Sequence, residues 1–327
     1  MGDLPFEKIK REILLKKEAQ TSDKFGFYPE NRTVEELMQF GVINIDKLAG
    51  PTSHQVSAYL QKILNLDKAG HSGTLDPNVT GVLPITLNKS TKIVQTLLKA
   101  GKEYICLMHL HRPVEEFELY KVFEKFTGKI KQLPPIKSAV KRQIRERRIY
   151  YIELLDIIEQ DVLFKVGCQA GTYIRKLVHD MGQELKVGAH MAQLRRTKAG
   201  PFNETSLFTL QDVSDAYYYY KEKKNDKFIR RVIMSIERAV SHLPKIWVID
   251  TAVDSLCHGA SLAVPGISKL EAGIEIDELV AIYTLKNEFI CFGRAKMSSL
   301  KMMGEKGLAV KTDKVVMAPG IYPRFNR

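Results

Sequence analysis

With 327 residues, 44% of them hydrophobic, the chain has enough apolar material for two domains, or for one large domain with an appendage. Fifty Lys and Arg against 38 Asp and Glu leave a net charge of +12, which turns the surface toward polyanions, nucleic acid first and an anionic membrane second. No apolar run approaches the roughly 20 residues of a membrane span and no secretory leader pattern opens the sequence, so a soluble, cytoplasmic protein is expected. Cys106, Cys168, Cys257 and Cys291 lie far apart, without the spacing of a zinc site or a redox dithiol, and read as small buried hydrophobes.

In chain order, residues 1–40 form a charged lead that closes on a helix beginning at Thr33, where Thr33 and Glu36 make a capping box and Gly41 marks the end. A strand over 42–46 then leads through Gly50-Pro51 to a second helix capped by Thr52 or Ser53, with Val56, Tyr59, Leu60, Ile63 and Leu64 on its inner face. The next stretch, 69–84, holds three glycines and two prolines around one carboxylate, Asp76, a composition incompatible with regular helix. Pro77 disfavours the helical region for the residue before it, so Asp76 is presented by a loop; an Asp-Pro turn with a local hydrogen bond is the plainer alternative.

Beyond the loop, Ser90 or Thr91 is expected to cap a helix that ends at Gly101, with Ile93, Val94, Leu97 and Leu98 inward. A strand follows over 103–110. Residues 121–150 carry ten Lys or Arg against Glu124 and Glu146, a net +8, two thirds of the excess charge of the whole chain. This run is either a solvated face or a phosphate-binding arm. Alternation at Val162, Phe164, Val166 and Cys168 predicts a half-buried strand, and Gly171-Thr172 turns it into a helix with Ile174, Leu177, Val178, Met181 and Leu185 inward. Arg175 falls in the first turn of that helix, where the dipole disfavours a cation, so either an anion lies beside it or it is a surface arginine facing water.

Tyr217 to Tyr220 read as a peripheral element or linker, although such a run is also able to stack bases. A helical stripe resumes over 229–240. From 244 onward, short strands over 246–249, 279–285, 289–295 and 315–317, with a short helix before His258-Gly259, predict a small β-barrel.

The string Gly70-His71-Ser72-Gly73-Thr74-Leu75-Asp76-Pro77, followed by Thr80-Gly81-Val82-Leu83-Pro84, resembles the signature loop of the TruB-type pseudouridine synthases. Four further segments are similar to that family: Asp46-Lys47 with Gly50-Pro51-Thr52-Ser53, where Leu48 replaces the usual proline; Lys102-Glu103-Tyr104; Gly171-Thr172-Tyr173-Ile174-Arg175; and Gly188-Ala189-His190 through Leu194-Arg195-Arg196-Thr197. The resemblance implies an α+β fold: a catalytic domain over 41–243 with a mixed, mostly antiparallel sheet flanked by helices and loops, and a small β-barrel PUA domain over 244–327. The extension 1–40 is expected to pack near the PUA domain. It implies conversion of uridine to pseudouridine in RNA without cofactor or metal, with Asp76 as nucleophile. Arg175 would pair with Asp76, Tyr104 would stack on the flipped base and offer a proton acceptor, and Lys47 would support that tyrosine. A carboxylate suits this role because it is ionised at neutral pH and needs no partner base. His71 is placed where the uridine leaves the stack, an extrusion costing a few kcal/mol.

Within the family, Ser241-His242-Leu243-Pro244-Lys245 and the stretch from His258-Gly259-Ala260 to Gly266-Ile267 resemble the archaeal dyskerin-like subunit of box H/ACA ribonucleoproteins. That branch implies guide-selected sites in ribosomal RNA, a guide RNA gripped through His258, Gly259, Ala260 and Arg294, and three small partners: a Gar-type, a Nop-type and a kink-turn-binding protein. Substrate RNA would meet Leu194 and a thumb loop carrying Lys137, Lys141, Arg142, Arg145, Arg147 and Arg148. A stand-alone enzyme acting on the transfer-RNA T-arm and a non-catalytic RNA-binding assembly factor are the alternatives.

Overall fold

A computed structural model describes residues 2–134 and 143–324. After β1 (Ile13–Leu15), the box between Thr33 and Glu36 caps α1 (Val34–Phe40), and Gly41 ends it. Then come β2 (Gly41–Lys47), α2 (Ser53–Leu64) capped by Thr52, β3 (Ala69–His71), β4 (Thr80–Leu87), α3 (Val94–Lys99) and β5 (Lys102–Leu110). Next are α4 (Glu116–Phe126), β6 (Gly128–Gln132), β7 (Arg145–Ile158), β8 (Asp161–Cys168), α5 (Ile174–Glu184), β9 (Ala189–Ala199) and β10 (Phe202–Asn203). The chain continues through α6 (Leu210–Glu222), α7 (Lys227–Val232), β11 (Met234–Ser235) and α8 (Ile236–Ala239). The last stretch holds β12 (Lys245–Val248), α9 (Asp250–Cys257), β13 (Leu262–Ala263), β14 (Ile267–Glu271), β15 (Leu279–Tyr283), β16 (Phe289–Ala295), α10 (Ser299–Met302) and β17 (Leu308–Val315).

Two sheets organise these elements. The larger runs β11-β2-β4-β9-β5-β8-β7-β6, with β3 on β4 and β10 on β9; its pairs are antiparallel except β4 with β9. The smaller runs β1-β14-β12-β15-β16-β17-β13, so the N-terminal strand β1 completes the sheet of the C-terminal module. The fold is therefore mixed, mostly antiparallel and helix-flanked, with a curled second sheet, as the resemblance implied. Val42, Val82, Leu97 and Phe202 of the first sheet region pack with Trp247, Tyr283, Phe289 and Phe292 of the second in one buried cluster. That shared apolar seam fixes the two sheets against each other.

Several expectations are corrected. Tyr59 is exposed, leaving Val56, Leu60 and Leu64 as the buried stripe of α2. Ser90 and Thr91 do not cap a helix: a 3-10 helix, Asn88–Ile93, runs directly into α3, whose last residue is Lys99, with Ala100 as its C-cap and Gly101 just beyond. The stripe over 229–240 is broken by β11 into two short helices. The closing strand is β17, whose polar residues Lys311, Thr312, Asp313 and Lys314 hide it from an apolar-pattern search; Val316 and Met317 lie beyond its end. Tyr217 to Tyr220 form part of α6, with Tyr217 and Tyr220 against the core over α2. Among the described residues, no helix is long and apolar enough to cross a membrane.

Candidate active site

Asp76 sits between β3 and β4 at the start of a tight turn, its carbonyl accepting from the Val79 amide at 3.0 Å with Pro77 next in the turn. The loop is held from below by buried polar groups. Lys47, fully buried at the end of β2, donates to the carbonyls of Leu48, Pro77 and Val79 at 2.8–2.9 Å. Ser53, in the first turn of α2, accepts from the Leu75 amide at 2.8 Å. Arg196, on β9, donates to the carbonyls of Val82 at 2.7 Å and Gly73 at 3.3 Å. Gly81 pairs with Arg196 where β4 meets β9; its φ of +102° and the backbone pressed against the position of a side chain admit only glycine.

Above this frame the reactive pair is open to solvent. Arg175 reaches Asp76 at 2.5 Å, with the two side chains 61% and 57% exposed. The anion beside the arginine in the first turn of α5 is thus Asp76, presented from a different loop. Tyr104 lies on β5 between Val166 and Arg196, half-buried. Burial holds its phenol above the ordinary range and therefore protonated, while the positive charge of Arg196 works in the opposite direction. The Lys47 ammonium donates to the loop carbonyls, so its support reaches the site through the loop. Burial lowers the Lys47 ammonium pKa and Arg196 adds to this, while Asp76 opposes both.

His71 ends β3 with its ring edge-on to His54 at 4.6 Å and its Nδ1 buried without a partner. Burial, then His54 and Arg196, bring it down to about 4, so it is neutral at pH 7. Leu194, opposite Cys106, borders the same apolar cluster as Tyr104. Arg195, its neighbour, faces the other way onto Asp46 at 3.0 Å and Glu204 at 2.6 Å.

Of the thumb residues, Lys137, Lys141 and Arg142 lie outside the described residues. Arg145, Arg147 and Arg148 belong to strand β7, paired with β6, and not to a loop. Arg147, at the surface, donates to the carbonyl of Gly171 at 3.0 Å, so it braces the turn before Arg175. In the C-terminal module, His258, Gly259 and Ala260 line an open pocket of about 1,270 Å³ together with Lys17, Asp254, Ser255 and Arg324. Arg294 is not in that lining; it donates to the Asp277 carbonyl at 2.9 Å. Arg196, Lys17 and Arg324 were not singled out from sequence. The Arg195-Arg196 doublet in a strand carries the signal for the first, since alternation must send one of the two inward.

A presented carboxylate clamped by an arginine, beside a half-buried phenol and joined to a separate pocketed module in a basic chain, defines a nucleic-acid-modifying enzyme. Residues 61–174 match the TruB family pseudouridylate synthase (N terminal domain), 175–241 the tRNA pseudouridylate synthase B C-terminal domain, 244–316 the PUA domain and 3–57 the DKCLD (NUC011) domain. The chain is 54% identical over 322 residues, 98% of its length and 95% of the relative's, to the probable tRNA pseudouridine synthase B of Methanopyrus kandleri. It is 55% identical over 320 residues, 97% and 94% of the two lengths, to that of Pyrococcus furiosus. It also superposes on a chain of a Cbf5-Nop10-Gar1 complex with a TM-score of 0.95 and 54% identity, covering 99% of each. A chain of an H/ACA RNP bound to a substrate RNA containing 2′-deoxyuridine gives 0.92 and 52%, covering 98% and 99%. The chain belongs to the TruB family of pseudouridine synthases.

Proposed function

We propose that this protein isomerises uridine to pseudouridine in ribosomal RNA at sites chosen by a guide RNA, as the catalytic subunit of a cytoplasmic box H/ACA particle. The observation that carries this reading is the Asp76–Arg175 pair, 2.5 Å apart on the signature loop, in a chain superposable over 99% of its length on a protein solved with Nop10 and Gar1. Residues 41–243 form the catalytic part and 244–327 the RNA-gripping part. Gar-type, Nop-type and kink-turn-binding proteins complete the particle.

In the reaction, Asp76 attacks the uridine as a nucleophile and the N1–C1′ bond breaks. The uracil turns and rejoins the sugar through C5, the bond to Asp76 breaks to return the carboxylate, the C5 proton is lost and N1 gains one, so atoms balance with no net hydrolysis. Arg175 keeps Asp76 anionic and aimed. Tyr104 stacks on the extruded base, and the Arg196 guanidinium, which favours the phenolate against the effect of burial, is what makes it available as the C5 proton acceptor. The pocket around His258 and Gly259 is larger than a small-molecule site and suits several nucleotides of guide RNA.

A guide whose pairing sequence is altered should move the pseudouridine to the newly paired uridine in the assembled particle. Modification that ignores the guide would overturn the guided reading. The names of the Methanopyrus kandleri and Pyrococcus furiosus relatives favour a second activity on transfer RNA, for which the purified chain alone should modify a T-arm uridine.

A further inference from the structure

We infer that the outer face formed by α6 and α7 is a second RNA contact, a stacking platform for a single-stranded segment, separate from the Asp76 site. The four-tyrosine run is divided by the helix. Tyr217 and Tyr220 turn inward onto the core, while Tyr218 and Tyr219 are 52% and 44% exposed. Phe228, from the first turn of α7, joins them at 41% exposure, its ring 5.1 Å from that of Tyr219. Tyr218 stands edge-on to Tyr219 at 6.0 Å and 82°, so the rings do not cover one another. Three adjacent exposed aromatics are a surface that a solvated helix has no need to keep.

The charge around them selects the partner. Residues 221–231 hold Lys221, Lys223, Lys224, Lys227, Arg230 and Arg231 against Glu222 and Asp226, a net +4. The one ion pair in this stretch among the described residues is Arg230 with Asp226; Lys221 lies near Glu35 and over the Tyr217 and Tyr220 rings, which leaves Lys223, Lys224 and Lys227 as the lysines of this face. The Lys223 ammonium lies 6.0 Å from the Tyr218 ring centre. Exposed π faces interleaved with unpaired lysines fit bases and phosphates of a flexible strand, whereas a protein partner would need apolar or acidic chemistry to match.

The place of this face makes the contact separate from the chemistry. Phe208, just before α6, bonds Asp46 near the site end of β2, and Tyr220 toward the far end of α6 bonds Glu35 in the first turn of α1. Tyr218 and Tyr219 follow the first residue of α6, Leu210, by eight and nine positions, roughly 12 Å of helix away from the Phe208 end. This inference requires only that the chain meets RNA and does not depend on the reaction at Asp76.

The test uses the full chain with a twelve-nucleotide single-stranded RNA carrying photoreactive uridine, read by crosslink mapping and by affinity across salt concentrations. Crosslinks at Tyr218, Tyr219 or Phe228 are expected. A Tyr218→Ala/Tyr219→Ala/Phe228→Ala variant should lose them and about tenfold or more in affinity, whereas Tyr218→Phe/Tyr219→Phe, which keeps the rings, should bind as wild type. Lys223→Glu/Lys227→Glu, at exposed positions that leave the core untouched, should flatten the salt dependence. An unchanged salt slope in that charge variant, or no crosslink on this face in wild type, overturns the inference. So does a partner protein of the particle that covers the face while RNA binding is unaffected by the variants.

Discussion

The Asp76 loop and the His258 pocket are built in opposite ways. Beneath the loop lie buried cations and a hydroxyl: Lys47 satisfies three carbonyls, Arg196 two, and Ser53 an amide, leaving only Asp76 and Arg175 at the open tip. The pocket instead presents an exposed rim over one buried acid, with His258 52% exposed above Asp254 and Gly259 at φ +89° with nothing near a side-chain position. Chemistry needs a carboxylate fixed to a fraction of an ångström, whereas gripping an RNA needs a surface that the RNA itself completes. Substitutions should therefore cost stability beneath the loop, turnover at its tip and affinity in the pocket.

The largest stability effect is expected for Lys47→Ala, which leaves three carbonyls without their shared donor. A loss of about 3 kcal/mol in urea unfolding is predicted, with activity falling alongside. A loss below about 1 kcal/mol would mean that the loop holds itself. Tyr104→Phe keeps the ring and removes the hydroxyl, so turnover should fall about 100-fold in single-turnover assays while substrate RNA binding stays near wild type. Equal losses of both would make the hydroxyl a structural group only.

In the pocket, His258→Ala should weaken guide RNA binding by about tenfold and leave the melting temperature unchanged, because an exposed side chain contributes little to folding. A drop in melting temperature with intact guide binding would reverse the contrast between the two regions. The smallest effect is on pH dependence. His71 and His242 are held at about 4 by burial, against 6.5 in the unfolded chain. Between pH 6.5 and 4 the unfolded state binds protons that the folded state does not, so stability rises with pH across that window and is lost as the pH falls through it. Comparing unfolding midpoints at pH 7 and 4.5, His71→Asn should show a smaller difference than wild type.

The tip of the site was legible in the sequence because its constraints are local. An aspartate before proline must be presented by a loop, and an arginine in the first turn of a helix calls for an anion; the two meet at 2.5 Å. The frame beneath was less so, since Lys47 and Arg196 satisfy carbonyls contributed by residues 30 to 123 positions away, besides that of Leu48 next to Lys47, and no local pattern reports such partners. At the level of the fold, apolar periodicity found the buried strand β8. It missed β17, where paired polar residues form a ladder with β16 that hydropathy does not reveal. The tyrosine run was ambiguous for the same reason: only the helix phase, fixed by packing of α6 against α2 and α7, decides which two rings face out.

The central claim is that Asp76 is the nucleophile, held but not needed by the fold. Tritium release from C5-labelled uridine in RNA, by wild type and Asp76→Asn with guide RNA and partner proteins, tests it directly. The account predicts release by wild type and a loss of about 1,000-fold or more in the variant, with the melting temperature unchanged because the Asp76–Arg175 pair is exposed. Release by the variant at a rate near wild type would contradict it.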